Sequence, residues 1–106
     1  MPVYQAFNRF ISYIVRDAYI SDEQLSRFVR DTHDALLLYG EEIETYLHEV
    51  YGKAIDLRLL QFKAEHSSDY TKEQWEQLVD KEMECLLWFN DQLRGLKTKF
   101  YRYLKI

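Results

Sequence analysis

Turn-forming residues are scarce in this chain, and that scarcity constrains the fold more than any other feature. The 106 residues contain only three glycines and one proline. An all-β domain of similar size needs a turn about every eight to twelve residues, and glycine and proline supply many of those turns. The sequence therefore predicts an all-α fold. Its content of 47% hydrophobic and 30% charged residues is typical of a globular protein, and we expect one domain over residues 1–106.

Capping residues indicate where two of the helices begin. Ser21 is a typical N-cap residue, and Gln24, at the third helical position, can complete a capping box with it. Thr71 and Gln74 repeat this arrangement ahead of the last apolar segment. We therefore predict one helix that begins just after Ser21 and a second that begins just after Thr71 and runs to about residue 103.

The segment between these two starts has a long apolar pattern. Apolar residues alternate at spacings of four and three from Leu25 to Val50, and the alternation resumes as far as Ala64. The pattern passes Gly40 without losing phase, and a glycine inside a helix costs only about 1 kcal/mol relative to alanine. We predict one long helix over residues 22–66, packed as an antiparallel, coiled-coil-like hairpin against the last helix. The alternative is a four-helix bundle in which the chain breaks at Gly40.

A shorter helix is expected at the N-terminus, over residues 3–19. Its apolar residues, among them Tyr4, Ile11 and Tyr13, cover more than one face. A helix in a bundle needs to bury only one face. The additional apolar surface of this helix therefore indicates contact with another chain or segment. We predict that Tyr4, Ile11 and Tyr13 form an interaction surface. The predicted function is a non-enzymatic protein-interaction or oligomerisation module, with a protein partner or self-association.

Charge is distributed unevenly along the chain, whose formal net charge is −4. The segment from residue 94 to residue 106 has five basic residues and no acidic ones, whereas residues 1–93 have nine basic and eighteen acidic residues. Cations interleaved with aromatic side chains can bind an anionic membrane surface or another polyanion, which is the alternative function. The acidic remainder of the chain disfavours nucleic acid. The candidate anion-binding residues are Arg94, Lys97, Lys99, Arg102 and Lys105.

Residues that could support catalysis or metal binding form no known pattern. Helical bundles often bind metals through Glu-x-x-His pairs, and none of His33, His48 and His66 follows a glutamate at that spacing. The single cysteine, Cys85, has acidic neighbours that disfavour a reactive thiolate. We expect no catalytic residues, no metal and no cofactor. A lone cysteine and the lack of a recognisable secretory signal favour a location in the cytoplasm or at the inner face of the membrane.

Three stretches of the chain are similar to a known group of proteins: VYQAFNRFI, ISDEQLSRFVRDTHDALLLYGEEIETYLHEVY and LVDKEMECLLWFNDQLRGLKTKFYRYLKI. They resemble the C-terminal helical domain of a widespread group of uncharacterised bacterial proteins. The resemblance implies an all-α domain of a bacterial protein and no particular activity or ligand. Members of that group often carry one or two membrane helices ahead of this domain, and such a segment would cover the apolar first helix.

Overall fold

The structure is a computed structural model that describes residues 2–104, and its regular elements are helices. Helix α1 spans Pro2–Asp17, α2 spans Asp22–Thr32, α3 spans Ala35–Tyr39, α4 spans Glu41–Glu65 and α5 spans Lys72–Leu104. A short 3₁₀ turn, Ser67–Asp69, lies between α4 and α5. No strand occurs in the described part of the chain, and the predicted all-α class is confirmed.

Both of the helix starts that the capping residues predict are present. The hydroxyl of Ser21 accepts a hydrogen bond from the backbone N–H of Gln24 at 3.1 Å. Ahead of α5 the capping box is reciprocal: the Thr71 hydroxyl accepts from the N–H of Gln74 at 3.1 Å, and the Gln74 side-chain oxygen accepts from the N–H of Thr71 at 2.9 Å. These bonds satisfy backbone donors that the first turn of a helix leaves without partners.

The prediction of one long helix over residues 22–66 is wrong, because the chain leaves the helical conformation twice within it. Gly40 has φ +83° and ψ −172°, a conformation that essentially only glycine adopts, and α4 begins directly after it. The alternative, a break at Gly40, is therefore the correct one. The break between α2 and α3 was not predicted. There the Thr32 hydroxyl donates to the carbonyl of Phe28 at 2.7 Å, a side-chain bond of the kind that bends helices.

Four of the helices form a bundle around Phe7, a fully buried residue of α1. Its ring centroid lies 5.1 Å from that of Phe28 on α2, 5.3 Å from that of Tyr46 on α4 and 5.2 Å from that of Phe100 on α5. The five-residue helix α3 only connects α2 to α4. The buried apolar core comprises Val3, Phe7, Phe10, Ile11, Ile14, Ile20, Phe28, Ala35, Ile43, Tyr46, Val50, Ala54, Leu57, Phe89, Leu96 and Phe100.

Contacts at both ends of α1 establish the directions of the helices. Phe7 contacts Tyr46 near the start of α4, and the residue after α1, Ala18, accepts a hydrogen bond from Gln61 near the end of α4. Helix α1 therefore runs parallel to α4, and α5, which returns beside α4, is antiparallel to both. Helix α2 turns back along α1, so it is antiparallel to α1 and α4.

Helices α4 and α5 extend beyond the other helices at one end of the molecule. Helix α5 has 33 residues and is therefore about 50 Å long, in a molecule that measures 54 × 23 × 22 Å. Because α1 and the turn after it end level with Gln61, the final residues of α4 and the first residues of α5 have no third helix beside them. The side chains of residues 72–77 are all exposed as a result.

Candidate interaction surface

The first helix does not present the surface that the sequence predicts. Ile11 is fully buried in the core, so its assignment to an interaction surface is wrong. Tyr4 and Tyr13 are half-buried: the Tyr4 ring packs edge-on against Phe100 at 5.5 Å, and the Arg16 guanidinium lies 5.7 Å from the centre of the Tyr13 ring. The physical reason is that α1 has α2, α4 and α5 as neighbours, and together they cover its apolar surplus.

A different row of apolar side chains remains exposed on α4. Tyr51, Ile55, Leu59 and Phe62 follow one another at spacings of four, four and three residues, which places them on one face of the helix. We call these four residues the α4 stripe. Leu59 is 53% exposed, Phe62 57% and Tyr51 36%, while Ile55 is half-buried. The His66 ring, directly after α4, stacks on Phe62 with 4.3 Å between the ring centroids and extends this face.

Sequence reasoning misses the α4 stripe, although its spacing is visible in the sequence. Helix α4 contains two apolar sets, and the other one, which includes Val50, Ala54 and Leu57, is buried against the neighbouring helices. Both sets have helical spacing, so periodicity alone does not reveal which of them faces the core. The choice depends on which sides of α4 the other helices occupy.

A groove between α2 and α4 borders the stripe. The part near the start of α2 has a volume of about 340 Å³ and is lined by Leu25, Ser26, Val29, Arg30 and Tyr51. The adjoining part, with a volume of about 390 Å³, is lined by Val29, Thr32, His33, Glu44, Leu47, His48 and Tyr51. Because Tyr51 belongs to both the groove and the stripe, the two form one continuous apolar surface.

Charged residues lie beside the stripe and do not interrupt it. On one side, Asp56 and Lys63 line a depression between α4 and α5 together with Leu59, and Lys81 and Glu84 of α5 line it as well. On the other side, the guanidinium of Arg58 pairs with the carboxylate of Asp22 at 2.9 Å. This ion pair marks the level at which α2 begins beside α4. From there α2 runs back towards the start of α4, so the stretch of α4 after Arg58 has no α2 beside it.

Two of the predicted anion-binding residues are engaged within the chain. Arg102 forms an ion pair with Glu42, and the ammonium of Lys99 lies 4.4 Å from the centre of the Tyr46 ring. Both cations therefore face the acidic first turn of α4, where negative charge is favoured by the helix dipole. The basic end of α5 and the acidic start of α4 neutralise each other, which leaves less positive charge for an external anion.

The other predicted anion-binding residues lie elsewhere. Arg94 and Lys97 are exposed on α5, and Lys105 lies outside the described residues. The structure thus does not gather the four described cations into one surface. Among residues 2–104, no helix is long and apolar enough to cross a membrane.

Glu44 and His48 form a pair on α4, and Cys85 is half-buried on α5. Nε2 of His48 lies 3.1 Å from a carboxylate oxygen of Glu44, but within the described ranges no group of three or more potential ligands could hold a metal ion. Burial raises the pKa of the half-buried Cys85 thiol, against the opposing effect of Lys53. The thiol is therefore protonated at neutral pH, and a protonated thiol is a poor nucleophile.

Comparison with known proteins assigns the chain to no family. No protein family, curated protein or solved structure matches it. The resemblance to uncharacterised bacterial helical domains therefore stays a prediction, and the surfaces of the molecule are the basis for inferring its function.

Proposed function

We propose that this protein is a non-enzymatic helical module for protein interaction or oligomerisation, and that it binds its partner through the α4 stripe. The observation that carries the proposal is the exposure of Leu59 and Phe62, two large apolar side chains on one face of one helix. Isolated exposed apolar residues are common on soluble proteins, but a contiguous row beside an apolar groove is typical of a binding surface. Charges at its edges match the usual organisation of an interface, with an apolar centre and a polar rim.

The proposal that the module is not an enzyme is supported by its concave surfaces. An active site usually combines an enclosed pocket with several converging polar groups. Here the groove between α2 and α4 is open and exposes more apolar than polar surface, and the polar residues at its edge, such as His33 and His48, are exposed. Such a surface suits an apolar helix or side chain better than a small polar substrate.

The test is a comparison of two matched double variants. Leu59→Glu with Phe62→Glu places charges on the α4 stripe, and Met83→Glu with Leu87→Glu places the same charges on α5, at residues that are 51% and 58% exposed. Surface substitutions of this kind usually change stability by no more than about 0.5 kcal/mol, so both variants should fold. Immobilised native protein should retain a protein from a cell lysate or its own chain. The stripe variant should lose this binding, and the α5 variant should keep it.

The proposal fails if the native protein is strictly monomeric at high concentration and retains no partner. It also fails if both variants lose binding equally, since the α4 stripe would then have no special role. Circular dichroism of the three proteins provides the control for folding.

The second candidate function is binding to an anionic membrane surface through the exposed Arg94 and Lys97, which lie near the 60% exposed Tyr101 on α5. Flotation with vesicles that contain an anionic lipid, repeated at raised salt, tests this candidate. Salt-sensitive flotation that Arg94→Gln and Lys97→Gln remove would favour it. Flotation that salt does not change, or no flotation, would eliminate it.

A further inference from the structure

We infer that the α4 stripe is covered by a second copy of this chain, with the two α4 helices packed antiparallel and Leu59 on the twofold axis. The inference rests on the proposed function and adds to it the identity of the partner and the register of the contact. It is drawn from the order of apolar and charged residues along α4, which is self-complementary about Leu59.

The apolar residues of the stripe match when α4 is paired with itself in this register. Ile55 lies four residues before Leu59, and Phe62 lies three residues after it. In an antiparallel pair centred on Leu59, Ile55 of each copy therefore lies opposite Phe62 of the other, within about 1.5 Å along the axis. Tyr51, eight residues before Leu59, lies opposite His66, seven residues after it. Each residue of the α4 stripe thus contacts an apolar or aromatic side chain of the second copy.

On the side of the stripe that faces α5, the charges of Asp56 and Lys63 match in the same register. Asp56 lies three residues before Leu59 and Lys63 four residues after it, on the same side of the stripe. A twofold axis through Leu59 places Asp56 of each copy opposite Lys63 of the other. Within one copy, these two residues are seven positions apart, or about 10.5 Å along the helix, too far for a direct pair. On this side of the stripe, two symmetry-related pairs of opposite charges therefore form between the copies. Such duplicated pairs are typical of an isologous interface.

Neighbouring helices leave room for this contact. The ion pair between Arg58 and Asp22 shows that α2 begins just before the level of Leu59 and runs away from it. The α2 helices of the two copies therefore diverge from the twofold axis. The part of the groove lined by Leu25, Val29 and Tyr51 lies beside the end of the second copy's α4 and can receive its Phe62 and His66 rings.

The contact is small for a stable interface. From Tyr51 to His66 the face is roughly 22 Å long, and stable interfaces bury about 800 Å² on each partner. A single helix face with one groove wall is at or below that size. We therefore expect a reversible dimer with a dissociation constant of about 1–100 μM, populated at high concentration and dissociated on dilution.

Charge reversal tests the register. Sedimentation velocity across a concentration series should show dimerisation of the native chain. Asp56→Lys alone or Lys63→Asp alone should weaken it about tenfold or more, because each variant brings like charges together in both pairs. The variant with both changes should return to within about threefold of the native constant, because reversal restores both pairs. A double variant as weak as the single variants would overturn the register.

Cysteine cross-linking tests the position of the axis. In a Cys85→Ser background, Leu59→Cys should form a disulfide-linked dimer under mild oxidation, because its Cα atoms lie close across the axis. The matched control, Leu87→Cys in the same background, has a comparably exposed side chain on α5 and should cross-link at least about tenfold more slowly. Equal rates for the two variants would overturn the inference.

The failure of this inference can be told apart from failure of the proposed function. A native chain that stays monomeric at millimolar concentration, but retains another protein that the stripe variant loses, overturns the homodimer and leaves the interaction module intact. A chain that neither self-associates nor retains a partner overturns both.

Discussion

The side-chain amide of Gln61 on α4 donates to the carbonyl oxygen of Ala18 at 2.9 Å, and so ties α4 to the turn between α1 and α2. The same amide accepts from the backbone N–H of Ile20 at 3.2 Å. Gln61 is only 5% exposed, and Ile20 is fully buried. The turn includes Ala18 at φ +53°, and the carbonyl of Ala18 and the N–H of Ile20 lie outside any regular helix, so both need a partner. Gln61 supplies that partner from a distant part of the chain.

Gln61→Leu should therefore reduce the free energy of unfolding. Leucine retains the bulk of the side chain but leaves the buried N–H of Ile20 and the carbonyl of Ala18 without their partner, which costs about 1–3 kcal/mol. Urea unfolding monitored by circular dichroism measures the change. Gln77→Leu, at an exposed position on α5, is the control and should change stability by no more than about 0.5 kcal/mol. Equal stability for the two variants would show that the Gln61 bonds contribute little.

Gly40→Ala should also destabilise the fold, for a reason confined to the backbone. A side chain at Gly40 would meet no atom within 4 Å, but the backbone there has φ +83°. Forcing alanine into this conformation costs about 1–3 kcal/mol. Gly95→Ala is the matched control, because the space around Gly95 is equally open and the residue lies inside α5. It should stabilise the protein by about 0.5–1 kcal/mol through helix propensity. Changes of the same sign in both variants would contradict the assigned break.

Phe7→Ala should be among the most destabilising single substitutions in this chain. Phe7 contacts three other helices at once, and removal of a buried phenylalanine ring typically costs about 3–5 kcal/mol. Phe62→Ala removes the same ring from an exposed position and should cost no more than about 0.5 kcal/mol when measured at low protein concentration. Thermal unfolding of both variants provides the comparison. A Phe62→Ala variant as unstable as Phe7→Ala would mean that Phe62 is packed in the interior.

Stability should decrease at alkaline pH because of Tyr46. Burial, and then the charge of Glu49, raises the pKa of Tyr46 well above its ordinary value near 10. Its hydroxyl donates to the side-chain oxygen of Gln92 at 2.8 Å, so the native state holds the proton. Above a pH of about 10, the unfolded chain releases this proton while the native chain keeps it, and the free energy of unfolding therefore falls as pH rises.

Urea unfolding at pH values from 8 to about 11.5 measures this dependence on pH. Tyr46→Phe should make the decline above pH ~10 shallower, because it removes the group that differs between the two states. Tyr101→Phe, at a side chain that is 60% exposed, should leave the decline unchanged. Identical profiles for the native protein and Tyr46→Phe would contradict the prediction.

Features that depend only on residues nearby in the sequence could be predicted from the sequence alone. Ser21 and Thr71 locate two helix starts because an N-cap acts on backbone groups within its own first turn. Gly40 was harder to interpret, since the apolar spacing continues across it and an interior glycine costs a helix little. Only the packing of α2, α3 and α4 around the core shows that the chain turns there.

The sequence by itself determined the all-α class, two helix starts and the amphipathic character of the helices, because these follow from local propensity, capping and spacing. Only the tertiary structure decided which apolar face is covered. Ile11 lies in the core because three helices surround α1, whereas Leu59 and Phe62 face outward because α1, α2 and α5 occupy other sides of α4. Burial depends on the number and position of a helix's neighbours, and residue spacing along that helix contains no information about them.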